Sequence, residues 1–283
     1  MSTKDSVQTF LFEHAPVRGA IVRLEQTSQT ILSQRPYPKR VKQLLNEALM
    51  ACALLAQSIK FEGSLHLQFQ GDARLPLILV QCDHQLQIRA FAQYGEGCAD
   101  EDYAEAFLQG QMALTLDQNK QSQNYQSLVP IQSTSMSDNL MTYFAQSEQI
   151  STKVWLAVNG HQAAGMLLQL MPGQASLQRE QFWEYAVQLG QTVRDEELLQ
   201  LDNETLLYRL YNETDLRLFT PRPVTFRCRC SKEKMKQVLT VLGQQETEDL
   251  LKEQSVIDIR CDFCNQHYAF DAIDVSLLFH QNH

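Results

Sequence analysis

The sequence predicts an α+β fold in three regions: an N-terminal mixed α/β core domain, a helical linker region and a small C-terminal zinc-binding domain. Three observations support this prediction. Segments of alternating apolar and polar residues cluster within residues 1–176, apolar residues at helical spacing dominate residues 177–223, and two close cysteine pairs fall within residues 224–283. We place the domain boundaries at those positions.

Strands are predicted in the N-terminal region where apolar and polar residues alternate. The candidate segments are GAIVRLEQT (19–27), GSLHLQFQG (63–71) and LPLILVQCDHQLQIRAFAQY (75–94), the last being two strands joined by a turn at Asp83-His84. TKVWLAVNG (152–160) and AAGMLLQLMPG (163–173) predict a hairpin that closes the domain, with its turn at Asn159-Gly160. The strands are clustered instead of alternating strictly with helices, which favours the α+β class.

A long helix is predicted between the first two of these strands, at residues 39–60. Its apolar residues recur at helical spacing, at Val41, Leu44, Leu45, Ala48, Leu49 and Cys52. Shorter helices are predicted at residues 102–110 and 137–150, and Ser137 or Asp138 is a suitable N-cap for the second of them.

Helical propensity dominates the linker region almost throughout. One apolar stripe contains Phe182, Tyr185, Ala186, Leu189 and Val193, and a second contains Leu206, Leu207, Leu210 and Tyr211. Because the predicted helices are short and otherwise polar, we expect them to be stable only when docked on another part of the protein. The TPRP segment at residues 220–223 should end the region.

Two short helices and two short strands are predicted in the C-terminal region. Ser231 is a suitable N-cap for a helix that ends at Gly243 and carries Met235, Val238, Leu239 and Leu242 on one face. A second helix is predicted at residues 246–254, and strands at 256–260 and 265–271 flank the second cysteine pair. So few large apolar residues make a poor independent core, and we expect a metal to stabilise the region.

The two cysteine pairs, Cys228-x-Cys230 and Cys261-x-x-Cys264, have the spacing of a zinc site. Two short-range pairs joined by a folded connector supply the four thiolates that tetrahedral zinc prefers, so we predict that all four bind one zinc ion. For the first pair we expect an extended strand, because residues i and i+2 of a strand face the same way. His267 follows closely, and we expect it at the surface or beside the ligands because four thiolates are already available.

The surroundings of the first pair bear on whether the zinc is a permanent scaffold or part of a redox switch. Arg227, Arg229, Lys232 and Lys234, together with the N-terminus of the following helix, should favour the thiolate form, which both binds metal and reacts with oxidants. A disulfide between Cys228 and Cys230 would close a small ring that is readily reduced. These features favour a site that opens, whereas the spacing alone fits a purely structural zinc as well.

The other three cysteines have no partner at motif spacing. Cys52 lies on the apolar stripe of the long helix, so we expect a core residue. Cys82 and Cys98 are interpreted as structural or incidental.

Several functional classes are disfavoured by the composition and the motifs. The formal net charge is −9, and residues 226–283 carry seven Lys and Arg against nine Asp and Glu, which argues against a nucleic-acid partner. The sequence has no phosphate-binding loop, dinucleotide fingerprint, GxSxG or HExxH motif, so we expect neither an enzyme nor a nucleotide cofactor. No apolar run is long enough for a membrane span, and the first residues do not resemble a secretory signal. We therefore expect the reducing cytoplasm as its compartment.

Six segments together resemble one known family. They are YFAQSEQIST (143–152), AAGMLLQLMP (163–172), LLYRLYNETDLRLF (206–219), FRCRCSKEKMKQVLTVLG (226–243), DLLKEQ (249–254) and IRCDFCNQHYAFDAIDV (259–275). In order and in content they are similar to the bacterial redox-regulated 33-kilodalton chaperonins, the heat shock protein 33 family. The four cysteines match that family's motif without departure.

The resemblance implies a cytoplasmic, ATP-independent holdase chaperone that acts during oxidative and heat stress. In the reduced, inactive state Cys228, Cys230, Cys261 and Cys264 would hold one zinc ion. Oxidation would form Cys228–Cys230 and Cys261–Cys264 disulfides, release the zinc, and unfold the small domain and the linker. The active form would bind unfolding client proteins and form a homodimer.

The client-binding surface has two interpretations at this stage. Phe182, Trp183, Tyr185, Leu206 and Leu210 either bind clients once the linker unfolds or are simply core residues, since apolar stripes at helical spacing are usually core. Two other functions also stay open. One is a zinc-ribbon interaction protein with a static metal, and the other is a thiol-disulfide oxidoreductase. The second is disfavoured because its CxxC motif should begin a helix, whereas here the motif follows a predicted strand.

Overall fold

The computed structural model describes residues 5–118, 125–160, 162–174 and 176–280. The outer limits of the predicted regions, Met1 and His283, lie outside the described residues. Strands grouped into sheets, with helices packed on them, confirm the predicted α+β class.

The bounds of the elements are as follows. The strands are β1 (Ser6–Phe12), β2 (Val17–Leu24), β3 (Gly63–Gln70), β4 (Leu77–Asp83), β5 (Gln87–Gln93), β6 (Gln111–Gln118), β7 (Tyr125–Pro130), β8 (Thr152–Asn159), β9 (Gln162–Leu170), β10 (Leu216–Leu218), β11 (Arg222–Pro223), β12 (Thr225–Phe226), β13 (Ile257–Arg260) and β14 (His267–Phe270). The helices are α1 (Gln26–Leu32), α2 (Lys39–Ser58), α3 (Asp100–Leu108), α4 (Met136–Tyr143), α5 (Leu177–Gly190), α6 (Asp195–Gln200), α7 (Asn203–Tyr211), α8 (Lys232–Leu242), α9 (Gln244–Gln254) and α10 (Ala272–His280), and α4 continues as a π-helical segment, Phe144–Glu148.

The first sheet has the strand order β10-β1-β2-β9-β8, and β11 also pairs with β1. Its strand pairs are antiparallel, and β8 and β9 form the predicted hairpin. Alternate residues of β2 enter two different apolar clusters, with Val22 and Leu24 on one face and Val17 and Ile21 on the other. Both faces of this sheet are therefore apolar, and each is covered by another layer of the fold.

The second sheet has the strand order β12-β5-β4-β3-β6-β7 and is antiparallel except for the β12–β5 pair. The predicted turn between β4 and β5 is built on Asp83, whose carboxylate accepts the backbone N–H groups of Gln85 and Gln87, each at 2.9 Å. A side chain that satisfies two backbone donors in this way fixes the turn locally.

Helix α2 packs between the two sheets. Its residues 48–56 are buried without a break, and the helix contacts strands of both sheets. Because this stretch spans more than two turns, every side of the helix is covered. The predicted apolar stripe is confirmed, and the burial extends around the whole helix.

Helices α5, α6 and α7 cover the opposite face of the first sheet. The ring of Phe12 makes edge contacts with Phe182 of α5 and Tyr211 of α7, at centroid distances of 5.2 and 5.0 Å. The Tyr211 hydroxyl donates to the Ala186 carbonyl at 3.1 Å and so joins α7 to α5. The partner on which these polar, amphipathic helices dock is thus the first sheet, and we call them the helical layer.

A buried arginine holds the junction between α6 and α7 on the sheet. The Arg23 guanidinium, on β2, donates to the carbonyls of Leu198 (2.8 Å), Leu199 (3.3 Å) and Leu201, and to Asn203 Oδ1 at 2.7 Å. These carbonyls lie at the C-terminal end of α6, where the helix dipole favours a positive charge. Arg23 therefore satisfies acceptors that the helix itself leaves unpaired.

The predicted linker region is not helical throughout, because the chain after α7 returns to the sheets. Leu218 pairs with Phe10 of β1, and Thr225 pairs with Gln87 of β5. The free edge of β1 supplies backbone partners to a segment whose own propensity is helical, so tertiary context overrides the local preference. Strands β1, β6 and β7 and helices α1 and α10 are further elements that the pattern of residues did not indicate.

Two local predictions are wrong. The N-cap of α4 is Ser135 and not Ser137 or Asp138, since the Ser135 hydroxyl accepts the Asp138 N–H at 3.3 Å from an extended backbone. Residues 227–230, around the first cysteine pair, are not in a strand, because β12 ends at Phe226 and no pairing continues beyond it in the described chain.

The chain divides into two compact units, one that ends at Phe226 and one that begins at Arg227. The division into three regions stays a prediction, and the helical layer belongs to the first unit. The second unit consists of the β13–β14 hairpin and helices α8–α10, around a cluster in which four apolar residues are fully buried: Leu239, Ile257, Phe270 and Val275.

Helix α8 begins and ends as predicted but is only partly buried. The Ser231 hydroxyl accepts the Lys234 N–H, and Gly243 ends the helix with a φ of 100°. Of the predicted apolar face, Leu239 is buried, whereas Val238 and Leu242 are 54% and 41% exposed. The unit is too small to cover the whole face.

The described helices include none whose length and hydropathy would suffice to span a lipid bilayer.

The contacts of Arg23 predict that Arg23→Met loosens the helical layer. Methionine keeps an apolar stem but leaves the carbonyls at the end of α6 without their donor, which should lower the free energy of unfolding by about 1–3 kcal/mol. Amide hydrogen exchange in α7 should then become faster. Arg217→Met is the control, because the exposed pair between Arg217 and Glu13 should contribute less than about 1 kcal/mol. Equal exchange rates in the two variants would contradict the assigned role of Arg23.

Candidate metal centre

The structure brings both predicted cysteine pairs into one site. The four Sγ atoms of Cys228, Cys230, Cys261 and Cys264 all lie within 4.8 Å of one another. The Sγ atoms of Cys228 and Cys261 are 3.6 Å apart, and those of Cys230 and Cys264 are 3.4 Å apart. We call this group the four-sulfur site.

The spacing of the sulfurs fits a single tetrahedral ion. Zinc–sulfur bonds of about 2.3 Å at tetrahedral angles place pairs of ligand sulfurs about 3.8 Å apart. The observed separations bracket that value, and the thiolate donor set is one that zinc prefers. The four cysteines could therefore hold a metal ion, and zinc is consistent with them.

The second cysteine pair sits in a tight turn that links β13 to β14. The Cys261 N–H donates to the Gln266 carbonyl at 2.9 Å, and the Asn265 N–H donates to the Cys261 carbonyl at 2.8 Å. Asn265 adopts a left-handed conformation, φ 55°, that asparagine tolerates better than most residues. The hairpin register, with Ile259 opposite Tyr268, fixes both ends of this turn.

The first cysteine pair lies between the end of β12 and the start of α8. Here the lysines predicted to favour thiolates bind oxygen acceptors. The Lys232 ammonium contacts the Asp274 carboxylate at 3.0 Å, and the Lys234 ammonium donates to the Arg229 carbonyl at 2.7 Å. These contacts hold α8 and α10 together and fold the chain around the pair, so the lysines position the sulfurs as well as supplying charge.

Hydrogen bonds to sulfur are the main cause that favours the thiolate at Cys228. Burial opposes ionisation, but the backbone N–H of Cys230 and the neighbouring thiols lower the pKa of Cys228 to about 7. Burial raises the pKa of Cys261 and of Cys264, although backbone N–H groups, including that of Gln266 at Cys264, act in the opposite direction. Cys228 is thus the thiol of the site that most readily becomes a metal ligand near neutral pH.

A tyrosine that the sequence did not single out contacts the four-sulfur site. The Tyr268 hydroxyl donates to Cys230 Sγ at 3.1 Å. This hydrogen bond is the largest cause that raises the pKa of Tyr268. The pattern of residues predicted a strand here, but it carried no signal for a contact with a cysteine 38 positions earlier in the chain.

The other candidate residues of the sequence lie away from the four-sulfur site. His267 Nδ1 is 3.1 Å from the Asp258 carboxylate, on the exposed side of the hairpin. Cys52 and Cys82 are buried in the core around α2, and Cys98 is half-buried.

The predicted client-binding residues are in the helical layer. Leu206 and Leu210 of α7 are buried against the first sheet, and Phe182 and Trp183 of α5 are half-buried against the same cluster. Tyr185 is also half-buried and contacts the Phe182 ring at a centroid distance of 5.8 Å. With α5–α7 docked, these side chains serve as core contacts.

Comparisons with known proteins agree on one family. The model of the Hsp33 protein family matches residues 5–271. The chain is 42% identical over 280 residues to the 33 kDa chaperonin of Methylobacillus flagellatus and 43% identical over 285 residues to that of Pseudomonas aeruginosa; each match covers 99% of this chain and 96% of the relative. The fold resembles the crystal structure of the 33 kDa chaperonin, a heat shock protein 33 homologue, from Thermotoga maritima, with a TM-score of 0.83, 22% identity and 98% coverage of both chains.

The geometry of the site predicts that metal binding depends on Cys264 and not on His267. With Co²⁺ as a spectroscopic probe, the reduced chain should bind one equivalent and show thiolate charge-transfer bands of a tetrahedral site. Cys264→Ser should weaken binding by more than the roughly 10- to 100-fold that loss of an outer hydrogen-bond partner causes. His267→Ala should leave the affinity unchanged, and a large loss in that variant would show that the ligand set is wrong.

Proposed function

The chain belongs to the Hsp33 protein family, a family of chaperones and not of enzymes, and from this we propose that it is a redox-regulated, ATP-independent holdase. The observation that carries the proposal is the convergence of both cysteine pairs in one four-sulfur site. In the reduced and inactive state, Cys228, Cys230, Cys261 and Cys264 would hold one zinc ion. Oxidation of the four thiols would release the metal and activate the chaperone.

The small core of the second unit makes its folding depend on the four-sulfur site. Four fully buried apolar residues at the centre of the unit contribute little hydrophobic free energy. Zinc bound by four thiolates supplies on the order of 10 kcal/mol of folding free energy in small domains of this kind. Loss of the thiolates as ligands should therefore unfold the unit.

The redox step uses the sulfurs of the site and an external peroxide. Two thiols lose two electrons and two protons and join as a disulfide, while hydrogen peroxide accepts them and leaves as two water molecules. Following the family resemblance, we propose the pairs Cys228–Cys230 and Cys261–Cys264. The shortest contacts of the reduced site join sulfurs of different pairs, so the site must rearrange as it opens.

The proposed client surface lies under and within the helical layer. When the second unit unfolds, α5–α7 would lose a folded neighbour in the chain, and short amphipathic helices of this type are only marginally stable. Their release would uncover apolar residues of the first sheet such as Phe10, Ile21 and Met166. It would also expose the helices' own apolar residues, Phe182, Trp183, Tyr185, Leu206 and Leu210. Surfaces of this kind bind unfolding proteins without sequence preference.

The remaining features of the proposal follow from the family. The partners would be unfolding or partly unfolded client proteins, and the activated form would be a homodimer. We propose action in the cytoplasm under oxidative and heat stress, without a nucleotide, a nucleic acid or a membrane as partner.

The redox proposal predicts that zinc release and chaperone activity rise together. Reduced, zinc-loaded protein should not prevent aggregation of a thermolabile test enzyme. After treatment with peroxide at mild heat, it should release one zinc ion per chain and suppress the aggregation. Cys98→Ser should behave like the wild type because Cys98 lies outside the four-sulfur site.

The same experiment separates the alternatives. A static zinc module would keep its metal in peroxide and would show no activity in the metal-free form. A thiol-disulfide oxidoreductase would reduce a disulfide substrate with catalytic turnover. Equal client binding by the reduced and oxidised forms would end the proposal of a redox switch.

The position of the client surface predicts that Gly190→Ala activates the reduced protein in part. A Cβ at Gly190 would lie 2.7 Å from Cη2 of Trp155 and 3.1 Å from the Tyr211 hydroxyl, so α5 must shift away from the sheet. Overpacking of about 1–2 kcal/mol would raise the undocked fraction by roughly 5- to 30-fold. The variant should therefore suppress aggregation without peroxide, while retaining its zinc.

The matched control is Gly173→Ala, where an added Cβ meets no atom within 4 Å. It should leave the reduced protein inactive. If hydrogen exchange shows that Gly190→Ala loosens α5 but no client binding appears, the client surface is not under the helical layer.

A further inference from the structure

The four sulfurs differ in where their hydrogen bonds come from. Cys228 is stabilised by the backbone N–H of Cys230, Cys261 by backbone groups of the CxxC turn, and Cys264 by the backbone N–H of Gln266. Cys230, in contrast, accepts a hydrogen bond from a side chain, the hydroxyl of Tyr268, at 3.1 Å. A donor on a side chain can be removed without changing the backbone of the site.

The fold places the Tyr268 hydroxyl at the site by register and by packing. Tyr268 lies opposite Ile259 in the hairpin and, like Phe270, points to the inner side of β14, while its neighbours His267 and Ala269 are exposed. Its half-buried ring packs against the apolar cluster of the second unit. The ring is thus held from one side, and the hydroxyl reaches Cys230 from a defined direction.

A hydroxyl that donates to a sulfur withdraws electron density from it. Hydrogen bonds of this kind stabilise a thiolate and make it a weaker nucleophile towards peroxides and alkylating reagents. In metal–thiolate sites they are one of the ways by which the protein adjusts the behaviour of the sulfur. A phenol remains a donor at neutral pH, so the effect should persist throughout the physiological range.

We propose that Tyr268 is a positioning residue that restrains the reactivity of Cys230 and so sets the amount of peroxide needed to open the four-sulfur site. The inference rests on the proposed redox function but concerns a residue outside the ligand set. Replacement of this hydroxyl would convert the site into one that opens at lower peroxide, with its four ligands intact.

The test compares Tyr268→Phe with the wild type as the full-length, zinc-loaded protein. Phenylalanine keeps the ring in its cluster and removes only the donor. Residue-resolved alkylation by iodoacetamide, read by mass spectrometry, should show Cys230 reacting about 3- to 10-fold faster, with the other three cysteines unchanged. The rate of peroxide-driven zinc release should rise with it. Tyr208→Phe, at an exposed position of α7, is the control for loss of a phenol hydroxyl and should alter neither rate.

A purely structural role for Tyr268 gives a different result. If the substitution merely loosens the second unit, all four cysteines should react faster together, and this outcome would overturn the proposal, as would unchanged alkylation of Cys230. A second substitution reverses the sign: 3-fluorotyrosine at position 268 is a stronger donor and should slow alkylation of Cys230.

The two levels of the argument fail separately. Alkylation reports on Cys230 whether or not the protein is a chaperone. If wild-type protein keeps its zinc in peroxide, the proposed redox function is wrong, while the Cys230 rates still decide the role of Tyr268.

Discussion

The second unit has few apolar side chains to bury, and the convergence of four sulfurs compensates for that shortage. Leu239, Ile257, Phe270 and Val275 form its fully buried centre, while Val238 and Leu242 of the same unit remain exposed. A domain with so small a core depends on a metal or another cross-link for stability. Chemistry at four atoms therefore governs whether the whole unit folds, which is the physical requirement of a switch.

The first unit has the opposite character, since its central sheet carries apolar residues on both faces. Helix α2 permanently covers one face between two sheets. The other face is covered by three short helices, with Arg23 binding the end of α6 through its guanidinium. The covering layers thus differ in strength: a long helix buried on every side against short helices that are largely polar on their outer faces.

Local patterns predicted the parts of this architecture that local patterns determine. The apolar stripe of α2, the Asp83 turn, the β8–β9 hairpin, the Ser231 cap and the spacing of the cysteines all depend on nearby residues. The failures depend on distant ones. Leu216–Leu218 is a strand because β1 has a free edge, and Tyr268 belongs to the site because the hairpin register carries it to Cys230. A single sequence does not encode such contacts in any periodic form.

Strand β9 lies between β2 and β8, with its backbone paired on both sides. Its residues 163–170 are buried on both faces, in the segment AAGMLLQL. Such a run is a strong candidate for amyloid-like pairing when its backbone is free. Removal of the helical layer would bare its side chains but leave its hydrogen-bond ladder satisfied. The molecule can then offer a sticky surface to other chains without offering a template on which they, or its own copies, could polymerise.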